Sequence, residues 1–203
     1  MKSSTTCNIA IYPPSEICKK AIKISNNLKN LGGVFTLGDK SFYPHITLYM
    51  LELPTKNIDR VKELLAEIAS KVKPVAMTMI AMDQGKTGYV GAGFAVTDEL
   101  RELQKRIVRA INPLREGLTY HSRDYPYSAE EMENLATYGY DGVFEAFNPH
   151  LNFTLLSEDK RGINIKMDVP SEDFSFTAQS IGFFILGDNY TCQTLISESK
   201  LSV

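Results

Sequence analysis

Tryptophan is absent from this 203-residue chain, and histidine occurs only three times. Cysteine is equally scarce: Cys7, Cys18 and Cys192 are odd in number, widely spaced and contain no C-x-x-C pair. That set supports neither a disulfide framework nor a zinc site, and it fits a reducing compartment in which thiols are buried and structural. No apolar run approaches the ~18 residues that a membrane helix needs. The first residues, Met1-Lys2-Ser3-Ser4-Thr5-Thr6-Cys7, are polar, and the apolar stretch after them stops at Pro13-Pro14, too short for a signal-peptide core. The expectation is a cytoplasmic protein. A net charge of -2 and a pI near 6.0 argue against a broadly basic surface that coats nucleic acid, while leaving room for a small basic patch. Gly85, Gly88, Gly91 and Gly93 do not open a helix after a strand, so they form no nucleotide-binding loop.

What is present reads as alternating strands and helices. Asn8 to Tyr12 is a strand closed by Pro13-Pro14. From Ser15 onward Ile17, Ala21, Ile24 and Leu28 recur at helical spacing, and Gly32-Gly33 supplies the stop. A strand from Pro44 to Leu51 ends by Pro54, and Asn57 is placed to cap a helix with the stripe Ile58, Val61, Leu65, Ile68 and Val72. Val75–Met82 and Thr87–Val96 read as a hairpin around Asp83-Gln84-Gly85-Lys86. Thr97 or Asp98 caps a helix carrying Leu100, Leu103, Ile107 and Ile111, which Asn112-Pro113 ends.

Residues 116–147 are irregular, apart from a short helix expected at Ser128–Thr137. A segment of that length is often a lid or binding loop, and here it is expected to border the site and select substrate. A strand follows from His150 to Leu156. Ser175–Leu186 and Thr191–Ser197 form a closing hairpin. Hairpins mixed with helices indicate an α+β protein with mainly antiparallel sheet.

Two segments read almost alike: Tyr43-Pro44-His45-Ile46-Thr47-Leu48 and Asn148-Pro149-His150-Leu151-Asn152-Phe153. On a strand the side chains alternate with a period of two. His45 and Thr47 then share one face, as do His150 and Asn152, while Ile46, Leu48, Leu151 and Phe153 turn toward a core. One such strand in each half of the chain suggests two pseudo-symmetric lobes facing each other across a cleft. Two imidazoles suit the cleavage of a phosphodiester, which needs one group to take a proton and another to give one near neutral pH. The Thr47 hydroxyl and the Asn152 amide are donors suited to the charge that builds on non-bridging phosphate oxygens.

Pro-His-Ile-Thr-Leu and Pro-His-Leu-Asn-Phe resemble the paired His-x-Thr/Ser motifs of the two-histidine (2H) phosphoesterase superfamily, the 2′-5′ RNA ligase-like proteins. His45 and Thr47 match fully, whereas Asn152 stands where that family usually has Thr or Ser. The resemblance implies a bilobal α+β fold over residues 1–203, with helices outside the sheets and the site in the central cleft. It also implies a metal-independent cyclic phosphodiesterase or 2′-5′ phosphodiesterase that acts on a nucleotide or RNA end and needs no cofactor. The alternative is a binding module of the same fold that has lost turnover through Asn152. Tyr43 and Tyr49 are candidates for stacking a base, and Arg123 and Lys86 for steering a phosphate. His121, the third histidine, reads as a loop residue. A zinc site built from the three histidines is disfavoured because the ligand spacing is wrong.

Overall fold

In the computed structural model, residues 3–85, 87–119, 126–161, 165 and 171–202 are described. The chain runs through β1 (Ser4–Ile11), α1 (Ser15–Lys29), β2 (Ile46–Pro54) and α2 (Ile58–Ala69). It continues with β3 (Val75–Met77), β4 (Met79–Gln84), β5 (Tyr89–Phe94), α3 (Asp98–Ile111) and α4 (Ala129–Tyr138). The last elements are β6 (His150–Leu155), β7 (Phe176–Ala178), β8 (Ser180–Leu186) and β9 (Cys192–Lys200). A four-stranded sheet has the order β2-β1-β8-β9, and a three-stranded sheet has the order β4-β5-β6. The short pair β3-β7 lies between the leads into β4 and β8, and every pairing is antiparallel. The architecture is α+β with two pseudo-symmetric halves, in which β1 and β2 correspond to β5 and β6.

The halves interlock. Helix α1 follows β1 but packs against β6, and α3 follows β5 but packs against β2. One buried cluster therefore takes Ile9, Leu48 and Leu65 together with Ala92, Ile107 and Phe153. Full burial of each such aliphatic or aromatic side chain stabilises the fold by roughly 1.5–3 kcal/mol.

Both histidine strands carry a β-bulge at the same place. Ala10 pairs with Thr47 but Ile9 pairs with Tyr49, so Leu48 is the extra residue. Gly91 pairs with Asn152 but Val90 pairs with Thr154, so Phe153 is the extra residue. A bulge leaves its extra residue outside the ladder and resets the alternation of faces. Buried polar side chains from the crossing helices bond the two bulge carbonyls. The Ser25 hydroxyl on α1 donates to the Phe153 carbonyl at 2.6 Å and accepts from the Leu37 amide at 2.8 Å. The Gln104 amide on α3 donates to the Leu48 carbonyl at 3.3 Å and accepts from the Phe144 amide at 3.3 Å. Each clasp thus joins one half's bulge to the chain that enters a histidine strand.

Several local expectations shift. Val75–Met82 is not one strand: β3 leaves the hairpin to pair with β7, and β4 alone pairs with β5. Asn57 stands at the N-cap position of α2, as expected, but its side chain makes no capping bond: it ends a 3-10 turn (Thr55–Asn57) and its amide donates to the Leu114 carbonyl at 2.7 Å. Thr97 does cap α3, accepting from the Leu100 amide. The helix expected at Ser128–Thr137 is α4, closed by a Ser128–Glu131 capping box and by Gly139 at φ 71°. Buried Arg115 ties this region down by donating to the carbonyls of Leu118 and Thr137.

Ser25→Ala removes one donor and one acceptor from a dry clasp. Urea unfolding should show a loss of about 1–3 kcal/mol, whereas exposed Ser41→Ala should stay within about 0.5 kcal/mol. Equal stability of the two variants would contradict the clasp.

Candidate active site

Each histidine ring is held by its own backbone. The His45 Nδ1–H donates to the Tyr43 carbonyl at 2.8 Å, and the His150 Nδ1–H donates to the Asn148 carbonyl at 2.8 Å. A carbonyl can only accept, so in each neutral ring Nδ1 carries the hydrogen and Nε2 keeps its lone pair. Pro44 and Pro149, both buried, lie between donor and acceptor in the two motifs. Proline fixes its own φ and holds the preceding residue extended, which sets the carbonyl for the ring two residues on. Strands β2 and β6 approach within 8 Å between Cα atoms. The result is two imidazoles with matching tautomers on adjacent strands.

The donor residues differ in surroundings. Thr47 Oγ1 accepts from the amide of fully buried Asn8 at 2.9 Å, so the Thr47 hydroxyl hydrogen is left to donate to a ligand. The same Asn8 nitrogen lies 3.6 Å from Cys192 Sγ, and Asn8 Oδ1 is buried without a partner among the described residues. Across from Thr47 stands Ala10, whereas across from Asn152 stands Gly91. A Cβ on Gly91 would lie 2.5 Å from the Leu151 carbonyl oxygen and 3.0 Å from Asn152 Oδ1. The longer Asn side chain and the bare glycine therefore go together, with Oδ1 against Gly91.

The two rings also sit in unlike walls. Phe184 lies 6.5 Å from the His45 ring, and Tyr43 and Tyr12 pack on Phe184 at 5.7 and 5.8 Å. His150 is exposed and is paired with Gly93. Burial among these groups pushes the His45 imidazole down to about 4, against the raising effect of its bond to Tyr43, and charge on His150 lowers it further. That last effect places the two rings within electrostatic reach of each other. Burial thus favours the neutral His45 ring, whose Nδ1–H is held by the Tyr43 carbonyl.

Sequence reasoning misplaces Tyr49. Extending the alternation from His45 and Thr47 puts it on the cleft face, but the bulge at Leu48 turns it into the core. Tyr49 is fully buried and its hydroxyl donates to the Tyr138 carbonyl at 2.6 Å, so it is no substrate contact. Tyr43 is half-buried, packs on Tyr12 and Phe184, and offers its backbone carbonyl to the His45 ring. Arg123, Lys86 and His121 lie outside the described residues. Sequence reasoning also misses Asn8, Ser25 and Gln104, although each is a polar residue set among apolar neighbours at strand or helix spacing, and that is the available signal. Among the described residues no group of three or more His, Cys, Asp or Glu could hold a metal ion. None of the described helices is long and apolar enough to cross a membrane. All three cysteines are free, and burial pushes the Cys7 and Cys18 thiols up to about 12.

The fold brings the paired Pro-His-x-Thr/Asn segments of its two halves beside each other. The chain belongs to the 2′-5′ RNA ligase superfamily, whose family model matches residues 38–186, a stretch holding both histidine strands. No curated protein matches the sequence. Among solved structures, LigT of E. coli complexed with NADP+ is 14% identical, with a TM-score of 0.63 over 98% of this chain and 99% of that one. LigT complexed with 3′-AMP is 16% identical, with the same TM-score and coverage. TT0787 of Thermus thermophilus is 12% identical, with a TM-score of 0.62 over 97% of each chain. At these identities the likeness is one of fold.

The environment of His45 has a direct signature. Nitrogen-detected NMR should show His45 as the Nδ1–H tautomer, staying neutral until the pH falls to about 4. Because the folded pKa lies below the ordinary 6.5, the unfolded chain binds more protons between those values. This contribution to stability is full above pH 6.5 and is lost as pH falls toward 4. A His45 titration near 6.5 would contradict the packed wall.

Proposed function

We propose that this protein is a phosphoesterase acting on RNA-type phosphodiesters, either a 2′,3′-cyclic phosphate or a 2′-5′ linkage, by two-histidine acid–base catalysis. The observation that carries the proposal is the matched pair of Nδ1–H bonds, which leaves both Nε2 atoms to the ligand. In hydrolysis of a cyclic phosphate, neutral His45 Nε2 takes a proton from water as the water oxygen bonds to phosphorus. The bond from phosphorus to the departing ribose oxygen breaks, and protonated His150 Nε2 supplies that oxygen's proton. Each role is typically worth ~10²–10⁴ in rate. Thr47 and Asn152 donate to the non-bridging oxygens, where preorganised donors stabilise the growing charge. Ligation onto a cyclic phosphate would use the same proton transfers, with a ribose hydroxyl attacking in place of water. The chemistry is assigned to side chains alone, without a metal or cofactor. Structures of LigT with phosphate, 3′-AMP, ATP and NADP+ support a nucleotide substrate. The whole chain acts as one bilobal unit in the cytoplasm; part of the segment expected to select substrate, residues 120–125, lies outside the described residues.

A second reading rests on Asn152. Its amide is longer than a hydroxyl group and presents an acceptor as well as donors, which would suit a nucleotide-binding module without turnover.

The test is turnover of a nucleoside 2′,3′-cyclic phosphate and of a 2′-5′ dinucleotide with EDTA present. Wild type should be active, and His45→Ala and His150→Ala should each lose about 10²–10⁴-fold in rate. Activity that survives both substitutions would remove these histidines from the mechanism. Saturable binding without turnover in wild type would select the binding module.

A further inference from the structure

The buried run of β1 is interrupted by one amide. Cys7, Ile9, Ala10 and Ile11 are fully buried, and so is Asn8 among them. On the neighbouring strand β8 Asn8 is paired with Phe184, which is fully buried as well. Asn8 Oδ1 finds no partner there among the described residues. A buried polar atom without a partner destabilises a fold and needs an explanation. An apolar side chain with the same branching would leave no acceptor unmet, so stability does not account for this residue.

The amide nitrogen supplies the explanation. Asn8 Nδ2 donates to Thr47 Oγ1 at 2.9 Å and lies 3.6 Å from Cys192 Sγ. A threonine hydroxyl has one hydrogen to give and two lone pairs to receive with. With an N–H of Asn8 on one lone pair, the Thr47 hydrogen cannot point back at Asn8 and is turned outward. An acceptor in the place of Nδ2 would do the opposite, taking the hydrogen and leaving Thr47 only lone pairs to offer. What occupies that one buried position therefore decides whether Thr47 attracts or repels a phosphate oxygen.

Cys192 joins this arrangement to the histidine. Its carbonyl accepts from the Tyr43 amide at 2.8 Å, and the Tyr43 carbonyl in turn accepts from His45 Nδ1–H at 2.8 Å. Both polar side chains of the first motif are thus tied to the start of β9. The second half is built differently. Gly91–Asn152 matches Ala10–Thr47 in register, so Tyr89 stands where Asn8 does, and its hydroxyl donates to the Asn189 carbonyl at 3.2 Å.

We propose that Asn8 is a positioning residue for phosphate binding, whose amide occupies a Thr47 lone pair and aims the Thr47 hydrogen at a non-bridging oxygen of the substrate. The inference rests on the reading of Thr47 as a phosphate donor, and it adds a residue that lies outside both histidine motifs.

The test is a double-mutant cycle between Asn8 and Thr47 in the full chain, read as kcat and KM for a nucleoside 2′,3′-cyclic phosphate. Asn8→Asp keeps size and branching but, once ionised, can only accept. It should lower kcat by about 10²–10³-fold, the effect of losing one preorganised donor. Protonated, the new carboxyl can still donate to Thr47, so the defect should deepen as pH rises. Asn8→Leu should lower kcat by a smaller factor while resisting urea at least as well as wild type, and it carries the cycle if Asn8→Asp does not fold. In a Thr47→Val background neither change should have much further effect, because residues that act as a unit are not additive. A residue that only shaped the core would slow both backgrounds equally. Equal losses in the two backgrounds, or wild-type rates for Asn8→Asp across the pH range, overturn the proposal. So does an active wild type that Thr47→Val leaves unchanged. If wild type turns over no phosphodiester, the same cycle is read on affinity for a nucleoside 3′-monophosphate. Coupled losses there sustain the role of Asn8 while defeating the catalytic reading, and additive losses defeat both.

Discussion

Each histidine strand needs a carbonyl satisfied where its bulge interrupts the ladder, and the group that does so belongs to a helix from the other half of the molecule. Ser25 bonds the Phe153 carbonyl and Gln104 bonds the Leu48 carbonyl. The same two side chains accept the amides of Leu37 and Phe144, in the segments that lead to His45 and His150. A buried carbonyl left unpaired costs about 1–3 kcal/mol, so each bulge is stabilised by the crossing helix. The spacing between the lobes is thereby tied to the positions of the two strands that face the cleft. Polar groups buried on the core side fix the geometry that the cleft side uses.

The symmetry that builds the cleft is broken in its lining. Phe184 lies beside the His45 ring, with Tyr12 and Tyr43 packed on it, while His150 is exposed opposite Gly93. Desolvation favours the neutral form of His45. One fold used twice thus places its two rings in unlike surroundings, His45 beside Phe184 and His150 exposed. The Asn152–Gly91 and Thr47–Ala10 pairs follow the same logic of matched size across a strand.

Period-two alternation makes the histidine strands readable, because a strand with one buried face must place His45 with Thr47 and His150 with Asn152. The family resemblance rests on those four residues, and the family match over residues 38–186 bears it out. Helices α1, α2, α3 and α4 are legible from their apolar spacing and punctuation. The bulges are not. Leu48 and Phe153 are as apolar as an uninterrupted strand would want, so nothing local reports that the face changes after them. Alternation alone consequently assigns Tyr49 to the cleft when it belongs to the core. The clasps are hidden for a related reason: Ser25 and Gln104 look like tolerated polar interruptions of an apolar stripe until the strand they meet is known. β3 and β7 merge into longer neighbours in the sequence because their pairing is non-local.

The central claim is that both imidazoles and both donors meet one phosphate. A crystal structure with a bound nucleoside 3′-monophosphate tests it most directly. The account predicts a single phosphate within about 2.7–3.2 Å of Nε2 on His45 and on His150, of Thr47 Oγ1 and of the Asn152 amide nitrogen. A phosphate that reaches only one of the two rings, or that binds away from the paired strands, would contradict it.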